Sequence, residues 1–167
     1  MPREWLLAWA RTDSRPPEMF HRLADEYANI NQLEIAHDIP IGTPVLVDPD
    51  GGCDIRLCKF FLSPHFARLR FSTKHSYALD LRLWIEYLDS RGRDWSQATP
   101  DDVSTFWLWR SRRDLNARAV SGSKANRELA AISLLYRWAS HESRGHVEFN
   151  PVERESLRFD GGRGAQA

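Results

Sequence analysis

The chain has 167 residues, and its 23 lysines and arginines are matched by 23 aspartates and glutamates, so the formal net charge is zero. This length suits one ordinary domain with an appended segment. No apolar run approaches the ~20 residues that a membrane helix needs, and the first residues lack the charged-then-apolar order of a secretion signal. These features exclude a membrane-spanning class and predict a cytoplasmic protein with no membrane partner.

The first 56 residues predict an appendage of helices and a short extended segment. Trp5, Leu6 and Trp9 predict an apolar helix face, and the pattern restarts after two prolines at the helical spacing of Phe20, Leu23, Ala24 and Tyr27. The β-branched run within residues 40–52 predicts a single short strand or an extended arm. The acidic residues that close it predict a Pro-Asp-Gly turn rather than a calcium loop, because the later ligand positions and the closing glutamate are absent.

The two cysteines lack the paired C-x-x-C spacing of a zinc site. A zinc site built from Cys53, Cys58, His65 and His75 is conceivable, but we expect partly buried thiols, with no metal and no cofactor. The apolar and aromatic residues 55–69 then predict a short packing helix that is broken at Ser63-Pro64.

Two amphipathic helices follow, each with recognisable end signals. Ser72 or Thr73 is expected to cap the first helix, and Gly92 is expected to stop it. The motif Thr99-Pro100-Asp101-Asp102 predicts the start of the second helix, which is expected to run toward Arg113. The expected inner face of the first helix comprises Tyr77, Leu81, Trp84, Ile85 and Leu88.

A polar loop separates these helices from a third one. Ser121 or Ser123 is expected to cap it, and it is expected to end near Ser143. Asn150-Pro151 predicts the start of a short final turn or helix through Leu157, because a residue before proline is disfavoured in helical conformation. The expected apolar face of the third helix comprises Leu129, Ile132, Leu135, Tyr136 and Ala139.

Charge is unevenly distributed along the chain. Within residues 105–144 eight lysines and arginines are opposed by three acidic residues, Asp114, Glu128 and Glu142. Such a region predicts a locally positive surface able to bind phosphates on a chain that is neutral overall. The basic residues are Arg110, Arg112, Arg113, Arg118, Lys124, Arg127, Arg137 and Arg144.

An ordered set of residues runs through the middle of the chain: Thr73, Tyr77 and Asp80-Leu81, then Thr99-x-Asp101-Asp102-Val103, then Ser121, Asn126-Arg127-x-Leu129-Ala130-Ala131-Ile132 and Tyr136, and finally Asn150-Pro151. This set resembles the core-binding domain of tyrosine recombinases, the phage-integrase family. The resemblance covers residues 57–152 and implies a mainly α fold, a SAM-like bundle of about four helices that packs against one side of duplex DNA. Residues 153–167 are then a tail.

The resemblance also implies that the first helix and the helix with the Asn-Arg motif lie at the DNA. Two positions depart from the family pattern: Lys124 replaces a usual threonine, and Ser133 replaces a frequent arginine. Hydroxyls and cations at a helix amino terminus favour phosphate binding, and Asn126 and Arg127 are chemically suited to an adenine and a guanine edge, respectively. The candidate DNA-binding residues are Thr73, Lys74, His75, Arg118, Ser121, Ser123, Lys124, Asn126 and Arg127.

No catalytic residue is predicted. The family implies catalytic groups on a domain downstream of Asn150-Pro151, and the string His141-Glu142-Ser143-Arg144 is interpreted as a helix end. Tyr77 and Tyr136 lie on apolar faces, and the tryptophans are expected to pack rather than to stack on bases. The expectation is a non-enzymatic, DNA-binding protein, a truncated or split recombinase in DNA integration that acts with a separate catalytic chain. The alternative is a protein–protein module that dimerises or recruits a full-length recombinase.

Overall fold

Helices form most of the part of the chain that the computed structural model describes, which comprises residues 4–10, 40–141 and 145–155. The predicted mainly α class is therefore confirmed. The chain divides into two compact units, Met1–Arg82 and Leu83–Ala167. The boundary falls within one long helix, and each unit is described by itself.

The amino-terminal unit begins with a pair of strands. Strand β1 (Leu6–Trp9) pairs antiparallel with strand β2 (Pro44–Val47), with Leu6 opposite Val47 and Trp9 opposite Pro44. The predicted strand after Gly42 is confirmed. The helix predicted for Trp5, Leu6 and Trp9 is wrong, because Leu6 and Trp9 lie in a strand that pairs with a distant segment, which a five-residue pattern does not reveal. The helical pattern predicted at residues 20–27 lies outside the described residues.

The acidic segment after β2 forms the predicted turn. The Asp48 carboxylate accepts hydrogen bonds from the backbone N–H groups of Asp50 and Gly52, at 2.8 and 2.9 Å. Gly51 has a φ of 89°, a conformation that favours glycine. The Asp48 carboxylate also lies close to Gly52. A Cβ atom added at Gly52 would lie only 2.7 Å from Asp48 Oδ2, so this position favours glycine.

Two short helices follow the turn. Helix α1 (Ile55–Leu62) is capped by the Asp54 side chain, and helix α2 (Pro64–Ala67) starts with its proline in the first turn. The predicted break at Ser63-Pro64 is confirmed, since proline is tolerated at a helix start but not inside one. The two helices bury a mutually packed aromatic cluster of Phe60, Phe61 and Phe66, with ring centroids 4.9–5.4 Å apart.

Helix α3 (Phe71–Asp89) spans the boundary between the units. Its first helical hydrogen bond runs from the Lys74 N–H to the Arg70 carbonyl, at 2.9 Å. Arg70 therefore occupies the cap position, and the prediction that Ser72 or Thr73 caps this helix is wrong, since both lie in the first turn. The predicted stop is confirmed: Gly92 has a φ of 67° and follows the last helical turn.

The carboxy-terminal unit contains the remaining helices. Helix α4 (Pro100–Ser111) starts at the predicted motif, where Thr99 and Asp102 form a capping box. It ends two residues before Arg113, because Arg112 is extended. Helix α5 (Gly122–Ala139) ends before the predicted Ser143, because the Ser140 N–H closes the last turn on the Tyr136 carbonyl at 2.8 Å. Helix α6 (Pro151–Glu155) follows Asn150 as predicted, and Leu157 lies outside the described residues.

The core of this unit is aromatic, and two of its buried rings are linked by hydrogen bonds. The Trp84 indole N–H donates to the Tyr136 hydroxyl at 3.1 Å, and that hydroxyl donates to the Trp95 carbonyl at 2.6 Å. The prediction that Trp84, Tyr136 and Trp138 pack in the core is confirmed by their burial. Trp107 and Trp109, by contrast, are only half-buried.

Candidate nucleic-acid interface

The first two turns of α5 bring together five of the predicted site residues. The Ser121 hydroxyl accepts a hydrogen bond from the Lys124 N–H at 3.3 Å, so Ser121 is the cap and Ser123 lies exposed in the first turn. Asn126 and Arg127 are exposed one turn later. The structure thus places hydroxyls, an amide and two cations at a helix amino terminus, where backbone N–H groups and the helix dipole favour an anion.

Lys124 is fixed by a buried carboxylate. Its ammonium lies 3.2 Å from Glu128 Oε1, and the Lys124 side chain is 41% exposed whereas that of Glu128 is 0% exposed. The Arg110 guanidinium donates to both Glu128 oxygens, at 2.8 and 2.7 Å. These three side chains carry two positive charges and one negative charge, so one net positive charge remains beside the start of α5.

Burial and pairing act on Glu128 in opposite directions. Desolvation raises the pKa of the Glu128 carboxyl, whereas the hydrogen bonds and charges of Arg110 and Lys124 lower it. The net result is a pKa below the ordinary value of glutamate, so the carboxylate is charged at neutral pH. The anion therefore stays available to anchor both cations.

The buried Arg110–Glu128 pair was missed by the sequence reasoning, although a signal exists. Glu128 lies at helical spacing between Ala125 and Ile132, which are buried, and Arg110 continues the buried stripe that contains Phe106. A charged residue on an apolar stripe predicts a buried partner of opposite charge, because an unpaired charge is costly inside a protein.

Asn126 has a partner on helix α4. The Trp107 indole N–H donates to Asn126 Oδ1 at 3.0 Å, across a sequence separation of 19 residues. The prediction that Trp107 packs is therefore incomplete, since its N–H also orients an exposed polar side chain. No local sequence pattern indicates this contact, because it depends on how α4 and α5 pack.

The loop before α5 carries Arg118, another predicted site residue. Arg118 is exposed, and its backbone N–H donates to the Asn116 side chain at 2.9 Å. The loop closes where the Val120 N–H donates to the Arg110 carbonyl at 2.7 Å. Arg112 in the same loop forms a bidentate pair with Asp114, at 3.0 and 2.7 Å.

Thr73, Lys74 and His75 form a second group, in the first turns of α3 and in the amino-terminal unit. The His75 ring stacks on the Trp9 ring, with centroids 5.2 Å apart and planes 3° apart. His75, Trp9 and the exposed Phe71 line an apolar cavity of about 400 Å³. Thr73 and Lys74 are half-buried whereas His75 is exposed, so the three residues differ in their access to solvent.

Ser133, which departs from the family pattern, has an internal partner. It is buried, and its hydroxyl accepts a hydrogen bond from the Asn150 side-chain amide at 3.0 Å. The Asn150 side chain also accepts from the Val152 N–H at 3.1 Å, at the start of α6. Ser133 therefore has a structural role in joining the last described helix to α5.

The tyrosine side chains considered as nucleophiles differ in burial. Tyr136 is 1% exposed, and its hydroxyl is used in two hydrogen bonds. Desolvation raises the pKa of the Tyr136 phenol well above its ordinary range. Tyr77 is half-buried on α3, and His141 is exposed just after α5, whereas Glu142, Ser143 and Arg144 lie outside the described residues.

The cysteines differ from each other in exposure. Cys58 is half-buried, and desolvation raises the pKa of its thiol, whereas Cys53 is exposed. The prediction of partly buried thiols therefore holds for Cys58 and is wrong for Cys53. Among the described residues, no group of histidine, cysteine, aspartate and glutamate side chains is arranged to bind a metal ion.

No helix within the described ranges combines the length and apolar character required to cross a bilayer.

Comparison with known proteins identifies the middle of the chain. Residues 67–143 match the family model described as phage integrase, N-terminal SAM-like domain. Searches of the curated proteins and of the solved structures gave no match. The matched region contains all nine candidate DNA-binding residues and the whole of α3, α4 and α5. Over residues 67–143 the chain is therefore similar to the N-terminal SAM-like domain of phage integrases, and this match supports the resemblance to the core-binding domain of tyrosine recombinases.

Proposed function

We propose that this chain binds double-stranded DNA through the first two turns of α5 and takes part in DNA recombination. One observation carries the proposal: within an integrase-type domain, Lys124 and Arg127 project from a helix start that also presents Ser121 and Ser123. Related domains bind DNA in this family, and the described chemistry of this region suits a polyanion. The core-binding unit is proposed to extend over residues 57–152.

Phosphate recognition accounts for the residue types present. Helix-start N–H groups and hydroxyls donate hydrogen bonds to phosphate oxygens, while lysine and arginine side chains displace counterions from the duplex. The Glu128 carboxylate does not cancel this attraction, because it is shared by Arg110 and Lys124. Arg118 is proposed as a further phosphate contact from the loop that precedes α5.

Thr73, Lys74 and His75 are proposed as a second set of DNA contacts. They belong to the first turns of α3, and the matched domain includes them. Lys74 supplies the cation, and the Thr73 hydroxyl is a phosphate donor. His75 contributes through an exposed imidazole whose ring plane is fixed by stacking on Trp9.

We further infer that the described residues contribute DNA binding and no nucleophile. The Tyr136 hydroxyl is buried and hydrogen-bonded, and its raised pKa opposes formation of a phenolate. Strand cleavage is then supplied by a recombinase catalytic domain outside the described residues. Duplex DNA and such a catalytic domain are the partners that this proposal requires.

Fluorescence anisotropy with a labelled DNA duplex at low salt tests the proposal. The wild-type chain should bind, and the double variant K124Q/R127Q should bind roughly tenfold more weakly, since two phosphate-facing charges are lost. A charge-matched control is K59Q/R137Q, because both of these cations are exposed and lie outside the proposed contact set. Failure of the wild type to bind duplex DNA overturns the proposed function, and equal binding by K124Q/R127Q overturns the assigned surface.

A second candidate function is association with another protein, including a second copy of this chain. It is favoured by two exposed leucines near the end of α4 and in the following loop, Leu108 at 38% and Leu115 at 54% exposure. Exposed apolar side chains of this kind often mark interaction surfaces. Sedimentation equilibrium of the wild type and of L108S/L115S tests it: a dimer that the variant dissociates supports association, and a monomeric wild type contradicts self-association.

A further inference from the structure

We propose that Trp107 is a positioning residue, which orients the Asn126 amide so that its N–H₂ group donates to a hydrogen-bond acceptor on DNA. The inference rests on the proposed function and deepens it, because it states which group of Asn126 donates the hydrogen bond to DNA. The acceptor is either a phosphate oxygen or an acceptor on a base edge, for which the N7 atom of a purine is the case tested. These two sources share the same chemistry and are separated by the experiment below.

The chemistry of the indole ring fixes the direction of the contact. An indole N–H donates and cannot accept, so the Asn126 atom that lies 3.0 Å from Trp107 Nε1 must be the carbonyl oxygen. The amide is planar, and Nδ2 is bonded to the same carbon as Oδ1. Fixing Oδ1 against Trp107 therefore restricts the position of the two N–H donors on Nδ2, and the exposure of Asn126 leaves this end of the side chain open to a ligand.

The two helices that form this contact are held together independently of it. Arg110 lies one turn after Trp107 on α4, Glu128 lies two residues after Asn126 on α5, and their bidentate pair joins the helices at 2.7 and 2.8 Å. The indole is half-buried, so its ring is supported by packing. Trp107 thus orients the Asn126 amide before DNA binds, so that the entropy cost of ordering this donor is not incurred on binding.

An oriented donor has a defined preference among the groups of a duplex. Phosphate oxygens and purine N7 atoms accept hydrogen bonds, whereas the cytosine amino group only donates. A helix start already rich in positive charge places Asn126 beside Lys124 and Arg127, which attract phosphate. The substitution Asn126→Asp would replace the amide with a carboxylate, which presents only acceptors and a negative charge to the same groups.

A double-mutant cycle on duplex binding tests the inference. W107F removes the indole N–H and keeps an aromatic ring, and N126A removes the amide. Each variant should weaken binding roughly threefold to tenfold, and the double variant should be no weaker than N126A, because the indole acts through the amide. The matched control is W109F, the same change two residues along α4 at a ring that packs on Tyr87 and Phe106; it should bind as the wild type does.

Further arms identify the acceptor and exclude a merely structural role. Methylphosphonate substitution should abolish the effect of N126A if the acceptor is a phosphate, and 7-deazapurine substitution should abolish it if the acceptor is N7. In the free protein, N126A should speed exchange of the Trp107 indole proton with solvent. Additive effects of W107F and N126A, or a W107F variant with wild-type binding, overturn the inference while leaving DNA binding intact. Absence of wild-type binding instead removes the proposed function and this inference together.

Discussion

Glu128 is the residue on which the geometry of the proposed interface depends most. Its side chain is 0% exposed, it forms two hydrogen bonds with Arg110, and its Oε1 atom also lies 3.2 Å from the Lys124 ammonium. The carboxylate thereby connects α4 to α5 and limits the positions that Lys124 can adopt. A buried ion pair contributes little net stability compared with apolar packing, but removing one partner leaves an uncompensated charge.

We expect Glu128→Gln to lower the free energy of unfolding by about 3–5 kcal/mol, because the Arg110 charge would stay buried without its counterion. Urea denaturation followed by tryptophan fluorescence measures the change. Asp114→Asn is the matched control, since it breaks an arginine–carboxylate pair of the same bidentate geometry on the surface. Asp114→Asn should leave the midpoint unchanged, and a Glu128→Gln midpoint equal to that of the wild type would contradict the structural role of the buried pair.

At the scale of secondary structure, α4 has the best-defined start. The Thr99 hydroxyl accepts from the Asp102 N–H at 3.3 Å, and the Asp102 carboxylate accepts from the Thr99 N–H at 2.8 Å. Arg93 lies in the segment between α3 and α4, and its Nε atom is 3.2 Å from Oδ2 of the same carboxylate. This reciprocal capping satisfies orphan N–H groups and fixes where α4, and with it Trp107, begins.

We expect Thr99→Ala to lower the free energy of unfolding by about 1 kcal/mol, because a capping hydrogen bond is lost. Thr99→Ser retains the hydroxyl and should stay close to the wild type. Guanidinium denaturation of the three proteins at one pH compares them. Equal stability of the alanine and serine variants would show that the capping box does not stabilise α4.

Local signals account for the elements that could be predicted from the sequence. Thr99-Pro100, Gly92 and Ser63-Pro64 act on their own neighbours, so a start, a stop and a break were each predicted correctly. Strand β1 was not predicted, because its hydrogen-bond partner is β2, more than thirty residues later. The Trp107–Asn126 bond depends on packing between helices in the same way, and it lies beyond any local pattern.

At the scale of the whole molecule, charge distribution matters more than net charge. The chain is formally neutral, yet Arg118, Lys124 and Arg127 cluster around the start of one helix within the integrase-type domain. Each phosphate neutralised by a cation releases counterions, so binding by this surface should weaken steeply as salt rises. For a neutral chain with no such surface, the affinity for duplex DNA would change little with salt concentration.

The most direct measurement of this account is the slope of log Kobs against log salt concentration for binding to duplex DNA. The wild-type chain should give a steep negative slope, and K124Q/R127Q should give a slope shallower by about 2, since each phosphate contact contributes roughly 0.9. The control K59Q/R137Q should keep the wild-type slope. A wild-type chain that ignores duplex DNA at low salt, or three proteins with the same slope, would contradict the assignment of DNA binding to the start of α5.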